Sequence, residues 1–304
     1  MADSQRNSAA GRAFDGALAA LFAHPFKIYR PEQARIPFVF ASPHSGRLYP
    51  ESFTAQSRLD ALCLRRSEDA YADMLFAGAA ELGAPMIAAR FPRAYVDANR
   101  APSELDPAMF EGSLALSVDQ PNARVNAGLG VIPRIVRDGA EIYRGKLDPR
   151  EAERRLARLH APYHAALARL IDETLARFGV AILIDCHTMP SAAAAPQVVV
   201  GDRFGQAAAP MLSDLAERCF SKAGFSVGRN APYAGGYTTH LYGRRERYVH
   251  ALQIEIDRSL YLDEERIALK PEFEPLRRRL DEALARLTAV DVEALGRARP
   301  QAAE

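Results

Sequence analysis

Short apolar runs of strand length alternate along the chain with longer stretches of helical periodicity, which predicts an α/β fold with a largely parallel sheet. Strands are predicted at Pro37–Ser42, Pro85–Ala89, Ala94–Asp97, Val180–Asp185, Gln197–Gly201 and Val249–Ile256. Helices are predicted at Gly11–Ala23, Glu68–Leu82, Pro149–Phe178, Gln206–Ala223 and Pro271–Leu287. The third is the best marked: Asp148 can cap it, Pro149 takes the first helical position, Glu151 closes a capping box and Gly179 ends it. Pro162 interrupts its apolar stripe, so a kink or a break is expected there. Between Arg100 and Asp148 the periodicity fades into a Pro- and Gly-bearing stretch, and a segment of that length without clear elements reads as a functional loop region. The chain therefore reads as a single domain over residues 1–304, with a loop-rich region at 101–148 and a frayed polar start at residues 1–12.

Charge narrows the class of partner. The 39 basic and 38 acidic residues leave a net charge of +1, which excludes a general nucleic-acid binder, since that needs a concentrated cationic surplus. Only Lys27, Lys146, Lys222 and Lys270 are lysines; all other basic residues are arginines, suited to ion pairs and to carboxylate recognition. Cys63, Cys186 and Cys219 are odd in number and lack a CxxC spacing, which argues against a disulfide scaffold or a thiolate zinc cluster and points to a reducing, cytoplasmic setting. No apolar run approaches the roughly 18 residues of a membrane span.

Two histidines stand where predicted strands end. His44 follows PFVFASP and precedes Ser45-Gly46; His187 follows VAILIDC and precedes Thr188-Met189-Pro190. Ligands of open α/β sheets bind beyond the carboxyl ends of the strands, so the pair suggests a metal site. A three-ligand site needs one more donor, and spacing leaves Glu68 and Asp69 open, since acids in a first helical turn also serve the helix dipole. In the last strand Gln253, Glu255 and Asp257 alternate with Leu252, Ile254 and Ile256. That polar face belongs either to a crevice, with Glu255 as a general base, or to the solvated side of an edge strand. Arg100 follows another predicted strand and could hold a carboxylate. His160 and His164 have i, i+4 spacing but lack the HExxH pattern, and GGYTTH at Gly235–His240 reads as a flexible turn with His240 toward a substrate. A serine hydrolase built on Ser45 is disfavoured because no GxSxG elbow surrounds it.

With these residues in view, the sequence resembles the N-formylglutamate amidohydrolase family through SPHSG (Ser42–Gly46), SEDAYADMLF (Ser67–Phe76), YVDANR (Tyr95–Arg100), DCHTMP (Asp185–Pro190), GGYTTHLYG (Gly235–Gly243) and ALQIEI (Ala251–Ile256). The resemblance implies a three-layer α/β/α, phosphorylase/hydrolase-like or zinc-carboxypeptidase-like fold with a mixed, largely parallel sheet. It further implies one zinc ion held by His44, Asp69 and His187, with Glu255 as general base. Arg100 is implied as the substrate-carboxylate anchor, with Asn99, Tyr237 and His240 beside it. The implied reaction is hydrolysis of a small anionic N-acyl amino acid, N-formyl-L-glutamate giving formate and L-glutamate, as in histidine breakdown. Many relatives carry an arginine near His240, so the resemblance also admits another N-acyl amino acid or a small peptide. A non-catalytic module that kept the fold is the reading from a different class.

Overall fold

The computed structural model describes residues 15–136, 139–192, 195–291, 293 and 295. The expected frayed start and the first residues of the predicted helix Gly11–Ala23 lie outside them. The main sheet has seven strands: β1 (Phe26–Tyr29), β2 (Phe38–Ser42), β3 (Met86–Ala89), β4 (Ala181–Met189), β5 (Val198–Gly201), β6 (Val227–Arg229) and β7 (Val249–Asp257). Their order is β1-β3-β2-β4-β7-β5-β6. Four neighbouring pairs are parallel, while β1–β3 and β5–β7 are antiparallel, so the sheet is mixed and largely parallel. Phe38–Ala41 of β2 and Ala181–Ile184 of β4 read as unbroken apolar runs because both faces are covered, the usual consequence of parallel strands packed between helices.

The helices that matter for the site are α1 (Gly16–Ala23), α2 (Pro149–Arg155), α3 (Ala161–Phe178), α4 (Pro210–Lys222), α5 (Tyr237–Tyr242) and α6 (Phe273–Thr288). Strand alternation sorts the core into two sides. Val39, Ala41, Leu183 and Ala251 pack with Tyr163, Leu167 and Leu170 of α3 and with Val131 and Ile132 of the loop-rich region. Phe38, Phe40, Ile182, Ile184, Leu252 and Ile254 face the opposite way, onto Leu212 and Phe220 of α4 and Leu280 and Leu284 of α6. The result is a helix–sheet–helix sandwich. Following the same alternation, Asp185, His187, Gln253 and Glu255 fall on the α3 side, at the carboxyl ends of their strands. No helix among the described residues is long and apolar enough to cross a membrane.

Two predicted elements differ. Ala94–Asp97 is a turn rather than a strand, and its polar groups bond to side chains and loops instead of a ladder: Asp97 N–H donates to the Val131 carbonyl at 2.8 Å. The predicted helix Glu68–Leu82 breaks into Ala72–Leu75 and Ala79–Leu82, because Tyr71 takes φ 64 and Asp69 N–H donates to the His44 carbonyl at 3.1 Å instead of starting a helix. The expected interruption falls just before Pro162, where the helical run changes character without stopping. A π-helical turn over Leu156–His160, closed by Ala161 N–H on the Leu156 carbonyl, joins α2 to α3. Pro162 supplies no N–H, and the wider turn re-pairs the carbonyls around it.

Candidate active site

Parallel pairing brings the ends of β2 and β4 to the same edge, so His44, two residues past β2, meets His187 on β4 with ring centroids 4.9 Å apart. The tight turn after His44 requires Gly46, whose substitution by a larger residue would put a Cβ 2.1 Å from the Phe91 carbonyl oxygen. Asp69 reaches the pair from the turn that replaced the predicted helix start. One ligating atom from each of His44, Asp69 and His187 falls within 4.8 Å of the others, and all three residues are buried.

The tautomers follow from the outer partners. His44 Nε2 lies 2.7 Å from Asp97 Oδ1 and His187 Nε2 lies 3.0 Å from Asp185 Oδ2. Each ring in its neutral form therefore donates Nε2–H to a carboxylate and keeps its lone pair on Nδ1. Those Nδ1 atoms point at the same oxygen, Asp69 Oδ2, at 3.3 Å and 2.8 Å. His44 Nδ1 has no hydrogen-bond partner despite full burial. Two imidazole lone pairs and a carboxylate oxygen converging in a dry pocket repel one another unless a proton or a metal cation lies between them, and two nitrogens with one oxygen is a donor set that zinc accepts. The residues present thus fit a metal ion. Although burial lowers its basicity, the His187 ring is held well above its usual range by Asp185 and Asp69, the same demand for positive charge. Asp69 Oδ1 is fixed by Arg258 Nη2 at 2.8 Å, which leaves Oδ2 to the histidines. Glu68, the other acid that spacing left open, turns away: it accepts from Tyr49 Oη at 2.8 Å and from Arg65 Nε at 3.1 Å.

Glu255 stands directly beside the histidine pair. The β4–β7 register sets His187 opposite Glu255, and β5 covers the other side of β7, so β7 is an interior strand and its polar face is not a solvated edge. Burial pushes the Glu255 carboxyl up to about 7, with Asp69 adding to the rise and His187 opposing it. Gln253 Nε2 donates to Glu255 Oε1 at 2.9 Å.

A cavity of about 580 Å³ opens over these groups. Its wall includes Asn99, Arg100 and, from the loop-rich region, Arg124, Leu129 and Pro133. Arg100 spends Nε on the Leu129 carbonyl and Nη1 on the Asn99 carbonyl, at 3.0 and 2.8 Å, so its guanidinium is fixed in place. Asn99 Oδ1 accepts from Thr238 N–H at the start of α5, and Gly236 is needed there because a Cβ would fall 2.4 Å from the Asn99 amide. Tyr237 and His240 are not part of the cavity wall. The expected flexible turn is the helix α5, which directs Tyr237 onto His164, ring centroids 5.4 Å apart, and leaves His240 exposed. The sequence reading missed Asp97, Asp185 and Arg258. Asp185 carried a usable signal, standing two residues before His187 on one strand face; nothing in the sequence paired Asp97 with His44.

Fold and site together define an α/β enzyme whose buried candidate metal centre lies at the carboxyl ends of parallel strands. The model of the N-formylglutamate amidohydrolase family matches residues 36–262. An N-formylglutamate deformylase of Pseudomonas aeruginosa is 30% identical over 243 residues, covering 77% of this chain and 85% of that protein. Its namesake from Pseudomonas putida is 28% identical over 247 residues, covering 78% and 86%. The crystal structure of N-formylglutamate amidohydrolase from Ralstonia eutropha JMP134 superposes with a TM-score of 0.82 at 34% identity, over 89% of this chain and 98% of that one. The chain belongs to the N-formylglutamate amidohydrolase family. It is a hydrolase acting on a C–N bond other than a peptide bond.

Proposed function

We propose that this protein is a zinc-dependent, cytoplasmic amidohydrolase that converts N-formyl-L-glutamate and water to formate and L-glutamate. The observation that carries the reading is the convergence of His44 Nδ1, His187 Nδ1 and Asp69 Oδ2 beside the buried Glu255. Zinc bound by those three atoms would supply Lewis acidity, lowering the pKa of a water and polarising the formyl carbonyl. Glu255, half-ionised near neutral pH, takes the proton of the attacking water and returns it to the departing amine nitrogen. Asp97 and Asp185 hold the two rings in the orientation that leaves Nδ1 inward. Arg100 and Asn99 orient the amino acid, with the substrate's carboxylate against the Arg100 guanidinium in a cavity whose wall also holds Arg93, Arg124 and Arg258.

A second reading keeps the centre and changes the substrate to another N-acyl amino acid. It is supported by Phe204, which is 76% exposed on the cavity wall and offers apolar contact that formate and glutamate do not need. Metal analysis combined with formate release separates the two. About one equivalent of zinc with formate released from N-formyl-L-glutamate supports the first reading, whereas hydrolysis confined to N-acetyl or other N-formyl amino acids supports the second. Less than about a tenth of an equivalent, with no activity restored by added zinc, sinks both.

A further inference from the structure

The π-helical turn ends on His160, and α3 carries His164 one turn further on, two buried histidines outside the candidate metal centre. They face the turn that carries Asn99. His164 Nε2 lies 2.8 Å from the Ala98 carbonyl and His160 Nε2 lies 2.9 Å from the Arg100 carbonyl. A carbonyl only accepts, so both rings are Nε2–H tautomers. Tyr242 Oη lies 3.0 Å from both His164 Nδ1 and the His164 carbonyl, and its single proton serves these two acceptors. Asn99's own carbonyl accepts from Arg100 Nη1. Three successive carbonyls, 98, 99 and 100, are thus satisfied by side chains. On the amide side, Asn99 N–H goes to Asp97 Oδ1 and Arg100 N–H to the Asp97 carbonyl. The middle peptide is held by Asp97 and Arg100 within the segment, and the carbonyls on either side of Asn99 are held from outside by the histidines. Two charged rings would repel at their 4.4 Å separation, and burial lowers the basicity of both.

We propose that His160 and His164 are positioning residues that clamp the Ala98 and Arg100 carbonyls on either side of Asn99, and so set Asn99 and Arg100 against the substrate. The π turn supplies the phase that points both rings at one loop. The inference rests on the reading of Asn99 and Arg100 as substrate-binding groups. Neither histidine touches the metal-ligating atoms or Glu255, and the segment they hold meets the centre through Asn99 Nδ2, 3.2 Å from His187 Nε2, and Asn99 N–H on Asp97 Oδ1, so the larger effect of the clamp falls on substrate binding.

The test compares His160→Leu and His164→Leu, which remove the Nε2–H, with His160→Gln and His164→Gln, which keep an N–H at similar reach. The Leu variants are expected to retain wild-type zinc content, to raise KM for N-formyl-L-glutamate about tenfold or more, and to change kcat by less than about threefold. The Gln variants are expected to recover most of the lost KM. If the Leu proteins do not fold, His160→Asn and His164→Asn, whose amides are too short to reach the carbonyls, take their place with the same expected split. An unchanged KM, or a loss that is as large in the Gln variants as in the Leu variants, overturns the clamp. Should the wild-type protein release no formate from N-formyl-L-glutamate, the substrate reading falls, and hydrogen–deuterium exchange at residues 97–101 decides the clamp. Exchange about tenfold faster with Leu but not with Gln supports it; equal exchange in all variants overturns it.

Discussion

Glu255 owes its chemistry to its neighbours in register. An exposed glutamate would be a weak base at neutral pH, but on the buried face of β7 its carboxyl is pushed to about 7, where it can both take and return a proton. Glu255→Gln keeps the size and the hydrogen bond from Gln253 yet removes the base. Turnover should fall by about 10²- to 10⁴-fold with bound zinc unchanged, as read by a formate assay beside metal analysis. Full activity would remove Glu255 from the mechanism. Asp97 and Asp185 act one layer back, each fixing a tautomer. Asp185→Asn leaves the outline of the side chain intact but weakens the acceptor on His187 Nε2, and affinity for zinc should drop about 10- to 100-fold in a chelator-competition titration. An unchanged affinity would mean that His187 is oriented by packing alone.

At the scale of elements, burial has a second consequence along α3. His164 is neutral in the fold, its pKa lowered to about 3 by burial and by neighbouring His160, whereas an unfolded histidine titrates near 6.5. The unfolded chain therefore binds more protons between those values, so this group's contribution is favourable above pH 6.5 and is lost progressively as pH falls toward 3. Relative to His164→Gln, which does not titrate, the wild-type protein should lose about 2 kcal/mol of stability between pH 8 and pH 5, measured from urea midpoints at each pH. Parallel stability curves would show that His164 takes up its proton as readily in the fold as in the unfolded chain. The helical run from α2 to α3 was legible in sequence, from the Asp148 cap through the apolar stripe to Gly179, because local signals specify it; the π turn was not, since a proline predicts disruption without saying how the backbone absorbs it. The strands that carry the histidines were equally legible as apolar runs. Ala94–Asp97 was misread as a strand because its amides turn elsewhere, Tyr95 and Val96 N–H to the Pro92 carbonyl and Asp97 N–H to the Val131 carbonyl of the loop-rich region, and no local pattern records the last of these. The same holds for Asp69, whose place in a turn is set by the His44 carbonyl rather than by its own neighbours.

Across the whole molecule, the excess of arginine is structural as much as it is surface. Arg155 is fully buried, its guanidinium 3.9 Å over the Tyr95 ring and donating to Tyr143 Oη at 2.8 Å and to Glu151 at 3.2 Å. A planar cation that stacks and donates at once suits this role in a way lysine does not, and it ties α2 to the loop-rich region and to the turn before Asp97. The candidate metal centre works on a similar scale. His44, Asp69 and His187 come from a strand end, a turn between short helices and a second strand, so their mutual repulsion acts against the packing of all three. A cation that binds only the folded chain relieves that repulsion and stabilises it by mass action, about 4 kcal/mol at a thousandfold excess over Kd. Stripping the metal with a chelator should therefore lower the melting temperature by several degrees, and zinc should restore it, whereas His44→Ala should melt at one temperature with or without zinc. Superimposable melting curves for the stripped and zinc-loaded wild-type protein would show that these three residues hold no ion, whatever the activity of the preparation.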